Sequence, residues 1–182
     1  PDSKPKKIDC LIYFKATMMC KEEEDLLITE SNIKELLRKL IDDNITYEVI
    51  KYGEYSEQEL IEIAQSSRFC VTITGTETQG IAYQEILSMN VPIYVLDRNI
   101  THQFVGKCSG ATSAPYFDDR CGIKHPDLSR FDEFLDRLDE FSPREYILEN
   151  LTLKKCANEY LSLLEKCLSL IHISEPTRQA EI

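Results

Sequence analysis

Ile8 to Phe14 is a short apolar run with little alternation, interrupted only by Asp9, the pattern of a strand buried on both faces of a parallel sheet. Downstream, Ile33, Leu36, Leu37, Leu40 and Ile41 recur at helical spacing, with Ser31 placed to cap the helix and Asn44 to end it. Ile45 to Lys51 reads as a second strand. Ser56-Glu57-Gln58-Glu59 has the form of a capping box and opens a helix that turns Leu60, Ile63 and Ala64 inward. Phe69 to Thr74 is a β-branched third strand ending at Gly75, and Val91 to Leu96 a fourth. Between them Gln79 to Met89 reads as a helix stopped by Asn90 and Pro92. This alternation predicts right-handed crossovers and a parallel sheet covered by helices on both faces.

Past the fourth strand the pattern weakens. Ala111 to Phe117 is expected as a fifth strand and Gly122 to Lys124 as a short sixth. Leu128 to Phe141 reads as an amphipathic helix with Phe131, Phe134, Leu135 and Leu138 on one face. Ser142-Pro143-Arg144-Glu145 is a second capping box, with proline at the first helical position, starting helices that run to about Cys167. The expected fold class is α/β, a doubly wound parallel sheet of about six strands with C-terminal helices. Residues 1–7 are polar and read as an interdomain linker. Residues 168–182 read as the in-frame translation of a transposase library adapter, so the domain is expected to span residues 8–167.

Composition changes this picture in two places. A net charge of −11 over 182 residues argues against a nucleic-acid surface, which would show a basic stripe. The seven cysteines are odd in number, scattered, and include no C-x-x-C pair, so neither a disulfide framework nor a zinc site is expected and a reducing, cytoplasmic setting is. No stretch approaches the ~18 apolar residues of a membrane span, and no signal peptide is visible.

In open α/β sheets ligands bind beyond the carboxyl ends of the strands. That rule selects Lys15 after the first strand, Tyr52 and Gly53 after the second, Gly75 through Gly80 after the third, and Asp97 with Arg98 after the fourth. Tyr52 and Gly53 form either a simple turn or a contact to a base, and Lys15 either a ligand clamp or a strand-end lysine with its stem on apolar surface. Glu77 falls on this edge, and Glu85 follows in the next helix. The amides of Gln79, Gly80 and Ile81 open that helix, where free N–H groups and the helix dipole favour an anion. Gly80 lets backbone approach a ligand closely.

Two carboxylates raise the possibility of hydrolytic acid–base work, and distance decides against it. Eight residues of helix span ~12 Å, whereas glycosidase carboxyls flank one bond at about 5–9.5 Å. The two acids are better suited to different parts of one elongated ligand. A phosphoacceptor receiver domain shares the alternation but needs an aspartate at the third strand's end and acids after the first; Thr74-Gly75 and Phe14-Lys15 stand there instead.

Glu77-x7-Glu85, with Gln79-Gly80 after the first acid and Asn90-Val91-Pro92 after the helix, resembles the E-x7-E motif of retaining glycosyltransferases with the GT-B fold. In that family the motif lies in the C-terminal, Rossmann-like domain that binds the nucleotide sugar. The similarity covers Ile8 to about Cys167 and is to the variant found in viral and environmental sequences, with Tyr13-Phe14-Lys15, Ala111-Thr112-Ser113-Ala114-Pro115-Tyr116 and Pro143-Arg144-Glu145-Tyr146 in register. The resemblance implies that Glu77 lies beside the transferred sugar, that Glu85 accepts from the ribose hydroxyls, and that the amides of Gln79, Gly80 and Ile81 cradle the diphosphate. It implies that Lys15 stabilises the departing nucleoside diphosphate. The family presents two basic residues near the first strand's end; here Ala16, Thr17, Met18 and Met19 follow Lys15, leaving Lys21 or Arg98 for the second role.

The implied donor is a UDP- or GDP-sugar, bound without a cofactor or metal, in keeping with the lack of a D-x-D near a strand end. The implied acceptor is a glycan, lipid or protein held by an N-terminal domain that this sequence does not contain. A non-catalytic nucleotide-sugar-binding module is the competing expectation.

Overall fold

The structure is a computed structural model and describes residues 5–15, 23–75, 77–97, 100–103 and 106–174. In chain order the elements are β1 (Ile8–Lys15), α1 (Glu23–Asp42), β2 (Tyr47–Lys51), α2 (Glu57–Ser66), β3 (Ser67–Thr74), α3 (Ile81–Ser88) and β4 (Ile93–Leu96). A short pair, β5 (Ile100–Gln103) and β6 (Gly106–Ser109), precedes β7 (Gly122–His125). Then come α4 (Phe131–Asp136), a 3-10 turn (Leu138–Glu140), α5 (Pro143–Asn150) and α6 (Leu153–Ser174). Five strands form one parallel sheet in the order β2-β1-β3-β4-β7, while β5 and β6 pair antiparallel with each other. The fold is thus Rossmann-like and doubly wound, with five strands in its sheet where about six are expected from the pattern.

The apolar runs are explained by burial on both faces. In β1, Cys10 and Ile12 enter the core under α1 and α4, while Leu11 and Tyr13 enter the one under α2 and α3. In β4, Tyr94 and Leu96 face the first core, Ile93 and Val95 the second. Cys10 and Cys70 therefore point to opposite sides of neighbouring strands, and both are free thiols. The first core centres on edge-to-face aromatics: Tyr94 lies 5.3 Å from Phe131 and 5.5 Å from Phe134, ring centre to ring centre. The buried Tyr94 hydroxyl donates to the Asp127 carbonyl at 2.6 Å, as a phenol inside a core requires.

Helix ends show which local signals hold. Asn44 (φ 53°) ends α1 in a left-handed conformation, with Ile45 N–H donating to Leu40 O at 2.8 Å and Asn44 N–H to Ile41 O at 3.1 Å, a Schellman pattern. Asn90 (φ 60°) stands just beyond the end of α3. Ser56 caps α2 as expected, accepting from Glu59 N–H at 3.2 Å.

Other boundaries move. Ser31 is not a cap, because α1 already starts at Glu23; the buried Thr29 and Asn32 on either side of it are polar residues that apolar periodicity does not register. Ser142 makes no side-chain cap, although Pro143 does occupy the first turn of α5. The expected 128–141 helix reduces to α4 and a tightened turn, where Glu140 N–H donates to Arg137 O at 2.9 Å. The C-terminal helices break at Thr152, whose hydroxyl accepts from Lys155 N–H at 3.3 Å, and α6 continues past Cys167 to Ser174.

Ala111 to Phe117 is not a strand. Its Thr112 hydroxyl and Ser113 N–H donate to the Asp97 carboxylate at 2.6 and 3.0 Å, and Pro115 has no N–H to offer a ladder. Among the described residues no helix is long and apolar enough to cross a membrane.

Candidate functional site

Parallel pairing sets the ends of three strands level. Lys15 is in register with Thr74 of β3, and Phe14 with Lys51 of β2. The chain leaves β1 for β2 on one side and returns across it to β3 on the other, so the winding reverses between β1 and β3. Beyond the carboxyl ends of strands at such a reversal, the two connecting loops diverge and leave a crevice. Here it measures about 300 Å³ and is lined by Tyr13, Lys15, Tyr52, Tyr55, the segment from Glu77 to Tyr83, and Glu85.

Each lining group is held by a traceable cause. After β2 the chain turns through Lys51-Tyr52-Gly53-Glu54, closed by Glu54 N–H to Lys51 O at 3.0 Å. Gly53 sits at φ 83°, the left-handed value that this turn position demands. The turn sets the half-exposed Tyr52 beside the crevice, where Lys15 Nζ lies 4.4 Å from its ring centre, within cation–π range. Lys15 Nζ also donates to Glu77 Oε1 at 2.6 Å, with the two side chains only 22% and 12% exposed.

Glu77 is positioned from outside the motif. Its N–H donates to Thr112 O at 3.0 Å, and Thr112 is in turn fastened to Asp97 at the end of β4. Asp97 is 6% exposed and committed to this loop, so it supports the site from behind. The crevice floor is aromatic. Tyr83 OH is bonded to Thr74 Oγ1 at 2.6 Å, fixing α3 to the end of β3, and Tyr13 OH lies 3.3 Å from Tyr55 OH. Burial pushes the Tyr13 and Tyr83 hydroxyls well above the usual phenol range, so both keep their protons at neutral pH.

α3 starts two residues later than the pattern predicts, with Gly80 as its first-turn boundary at φ 67° and ψ 54°. A Cβ on Gly80 would stand 3.2 Å from the Tyr83 ring, which ties this glycine to both conformation and close packing. The N–H groups of Ile81 and Ala82 occupy the first turn of α3, where helix geometry supplies no preceding carbonyl. Gln79 lies just ahead of the helix, with its carbonyl accepting from Gln84 Nε2 at 3.1 Å.

Glu85 is half-buried farther along α3, on the same crevice. Burial, and secondarily the Glu57 carboxylate of α2, hold its carboxyl above the usual value. The fold therefore favours neutral Glu85; the stability this contributes is complete below the unfolded carboxylate value of ~4.3 and is lost as pH rises through the folded value. Glu85→Gln is accordingly expected to raise the melting temperature at pH 7 by roughly 1–2 °C. The gain should shrink toward zero as pH approaches 4. Melting at or below wild type at pH 7 would show that the carboxylate is not held against its ionisation.

The structure thus brings Lys15, Glu77, Glu85, Gln79, Gly80, Ile81 and Tyr52 to one crevice and assigns Gly53 to the turn that carries Tyr52. Arg98 and Lys21 lie outside the described residues. Asp97, which the strand-end rule selects as a ligand contact, instead holds Thr112 and Ser113 behind the site; Tyr13, Tyr55, Tyr83 and Thr112 are not singled out by that rule, although the alternation along β1 already places Tyr13 on the face opposite Cys10 and Ile12. A second cleft of about 320 Å³ runs along β7, but its Arg130 and Arg137 are engaged by Glu133 and Glu140. Among the described residues no group of three His, Cys, Asp or Glu side chains is gathered to hold a metal ion.

No family model matches the sequence, and no curated protein matches it. Among solved structures, the crystal structure of TarM aligns with a TM-score of 0.44 and 14% identity over 89% of this chain. The chain spans 36% of the length of TarM. At that distance the likeness bears on neither the crevice nor its chemistry, which rest on the geometry alone.

Proposed function

We propose that this domain binds a nucleotide-diphosphate sugar in the crevice between β1 and β3. The observation that carries the reading is the meeting of Lys15 and Glu77 at the point where the sheet's winding reverses, directly before the glycine-led start of α3. A diphosphate would take the Lys15 ammonium and the first N–H groups of α3. Glu77 and Glu85 would accept from hydroxyls of the sugar and ribose on either side of it. Tyr52, exposed at the rim, offers an aromatic face to a base.

Thermal-shift titration of the chain with UDP- and GDP-sugars tests this reading. A ligand at a hundred times its dissociation constant contributes ~2.7 kcal/mol, which raises the melting temperature by roughly 5–10 °C for a domain of this size. No shift with any of these nucleotides would overturn the reading.

Transfer of the sugar with retention is the finer reading, and the E-x7-E register of Glu77 and Glu85 on one crevice favours it. Such chemistry needs an acceptor, a glycan, lipid or protein, presented from an N-terminal domain across the cleft. In a protein carrying both halves, Glu77→Gln separates transferase from binding module. Turnover lost with donor still bound supports transfer, and undiminished turnover removes Glu77 from the chemistry.

A further inference from the structure

In the crevice the cation is already in use. Lys15 Nζ is bonded to Glu77 Oε1 at 2.6 Å and lies against the Tyr52 ring. An anion that claims Lys15 must share its ammonium with a carboxylate that is only 12% exposed. Glu77 would then stand beside an arriving negative charge with one cation between them, an arrangement that is unfavourable in a partly dry site. The neighbouring hydroxyls are bonded to one another, Tyr83 with Thr74 and Tyr13 with Tyr55. Lys15 is the one cation among the described residues that line the crevice.

A ligand eases this by giving Glu77 new donors. The hydroxyls of an attached sugar do so, since a carboxylate accepts charge-assisted hydrogen bonds readily. A free nucleoside diphosphate brings charge for Lys15 and nothing for Glu77. We propose that the Lys15–Glu77 pair is a discrimination device, which opens for a diphosphate that carries its sugar and resists one that has lost it. Resting on the nucleotide-sugar reading, this names what favours donor over product and speeds release of the spent nucleotide.

The test is calorimetric titration of the full chain with UDP, GDP and inorganic pyrophosphate, none of which carries a sugar. Glu77→Gln keeps the side chain's shape, removes its charge and frees Lys15. It is expected to tighten binding of these anions about tenfold or more, the change that 1.4 kcal/mol produces. The gain should vanish in the Lys15→Met/Glu77→Gln double variant. Glu77→Ser, which also removes the charge, is run beside it, with circular-dichroism melts confirming that each variant folds.

Anions bound by wild type and no more tightly by either Glu77 variant would overturn the discrimination and leave the nucleotide site standing. Anions bound by neither wild type nor any variant would overturn both. Detectable binding only in the Glu77 variants would support the device in its strongest form.

Discussion

Gly122→Ala is expected to leave little folded protein at ambient temperature. Gly122 begins β7 at φ 133°, opposite Ile93 of β4. A Cβ there would stand 2.1 Å from Ile93 O and 2.9 Å from Ile93 C and N. These are backbone atoms inside a ladder, so no rotamer change relieves the overlap, and β7 would have to leave β4. Its departure would uncover Ile123 and loosen Leu128, Phe131 and Phe134, which share its core. The expected cost exceeds about 4 kcal/mol, in the range reserved for overpacking and backbone conflict. Gly110→Ala is the control: φ is 80° there, but nothing lies within 4 Å of its added carbon, so the cost should stay near ~1 kcal/mol of backbone strain. Urea melts of the two variants check this, and equal destabilisation would show that the β4–β7 contact is not the cause.

Lys15→Met is expected to weaken binding of a UDP- or GDP-sugar by roughly 10- to 100-fold, corresponding to the ~1.5–3 kcal/mol of a hydrogen bond to a charged group. Methionine preserves most of the stem that packs at the end of β1 and removes only the ammonium. Two consequences compound. The diphosphate loses the one cation among the described lining residues, and the largely buried Glu77 loses its partner. Lys15→Arg should restore only part of the affinity, because its wider planar fork meets Glu77 and the Tyr52 ring with a different geometry from the compact ammonium. Titration calorimetry gives the readout. Affinity within twofold of wild type in Lys15→Met would place the phosphates elsewhere.

How much of this was legible in the sequence differs by element. β1, β3 and β4 are buried on both faces and so appear as apolar or β-branched stretches without a polar face. The end of α1 is legible because Asn44 tolerates the left-handed conformation that stops a helix. Its beginning is not, because Thr29 and Asn32 face inward where the pattern expects apolar residues. The 111–117 segment looks like a strand by composition, yet its hydrogen-bonding groups go to Asp97, a partner 15 and 16 residues away that no local window contains.

The site divides along the same line. The sequence alone determined where the first four strands of the sheet end, and with them the edge where Lys15, Tyr52, Glu77 and the Gly80 turn must lie, because those strand ends follow from local pattern and turn chemistry. Only the tertiary structure decided that β3 lies on the other side of β1 from β2. That order joins Lys15 to Glu77 across 62 residues and fastens Glu77 from behind through Thr112. The physical reason is that a crossover's destination is set by which faces bury against one another over the whole sheet. Hydrophobic period records only that a residue is buried, and leaves open what it is buried against.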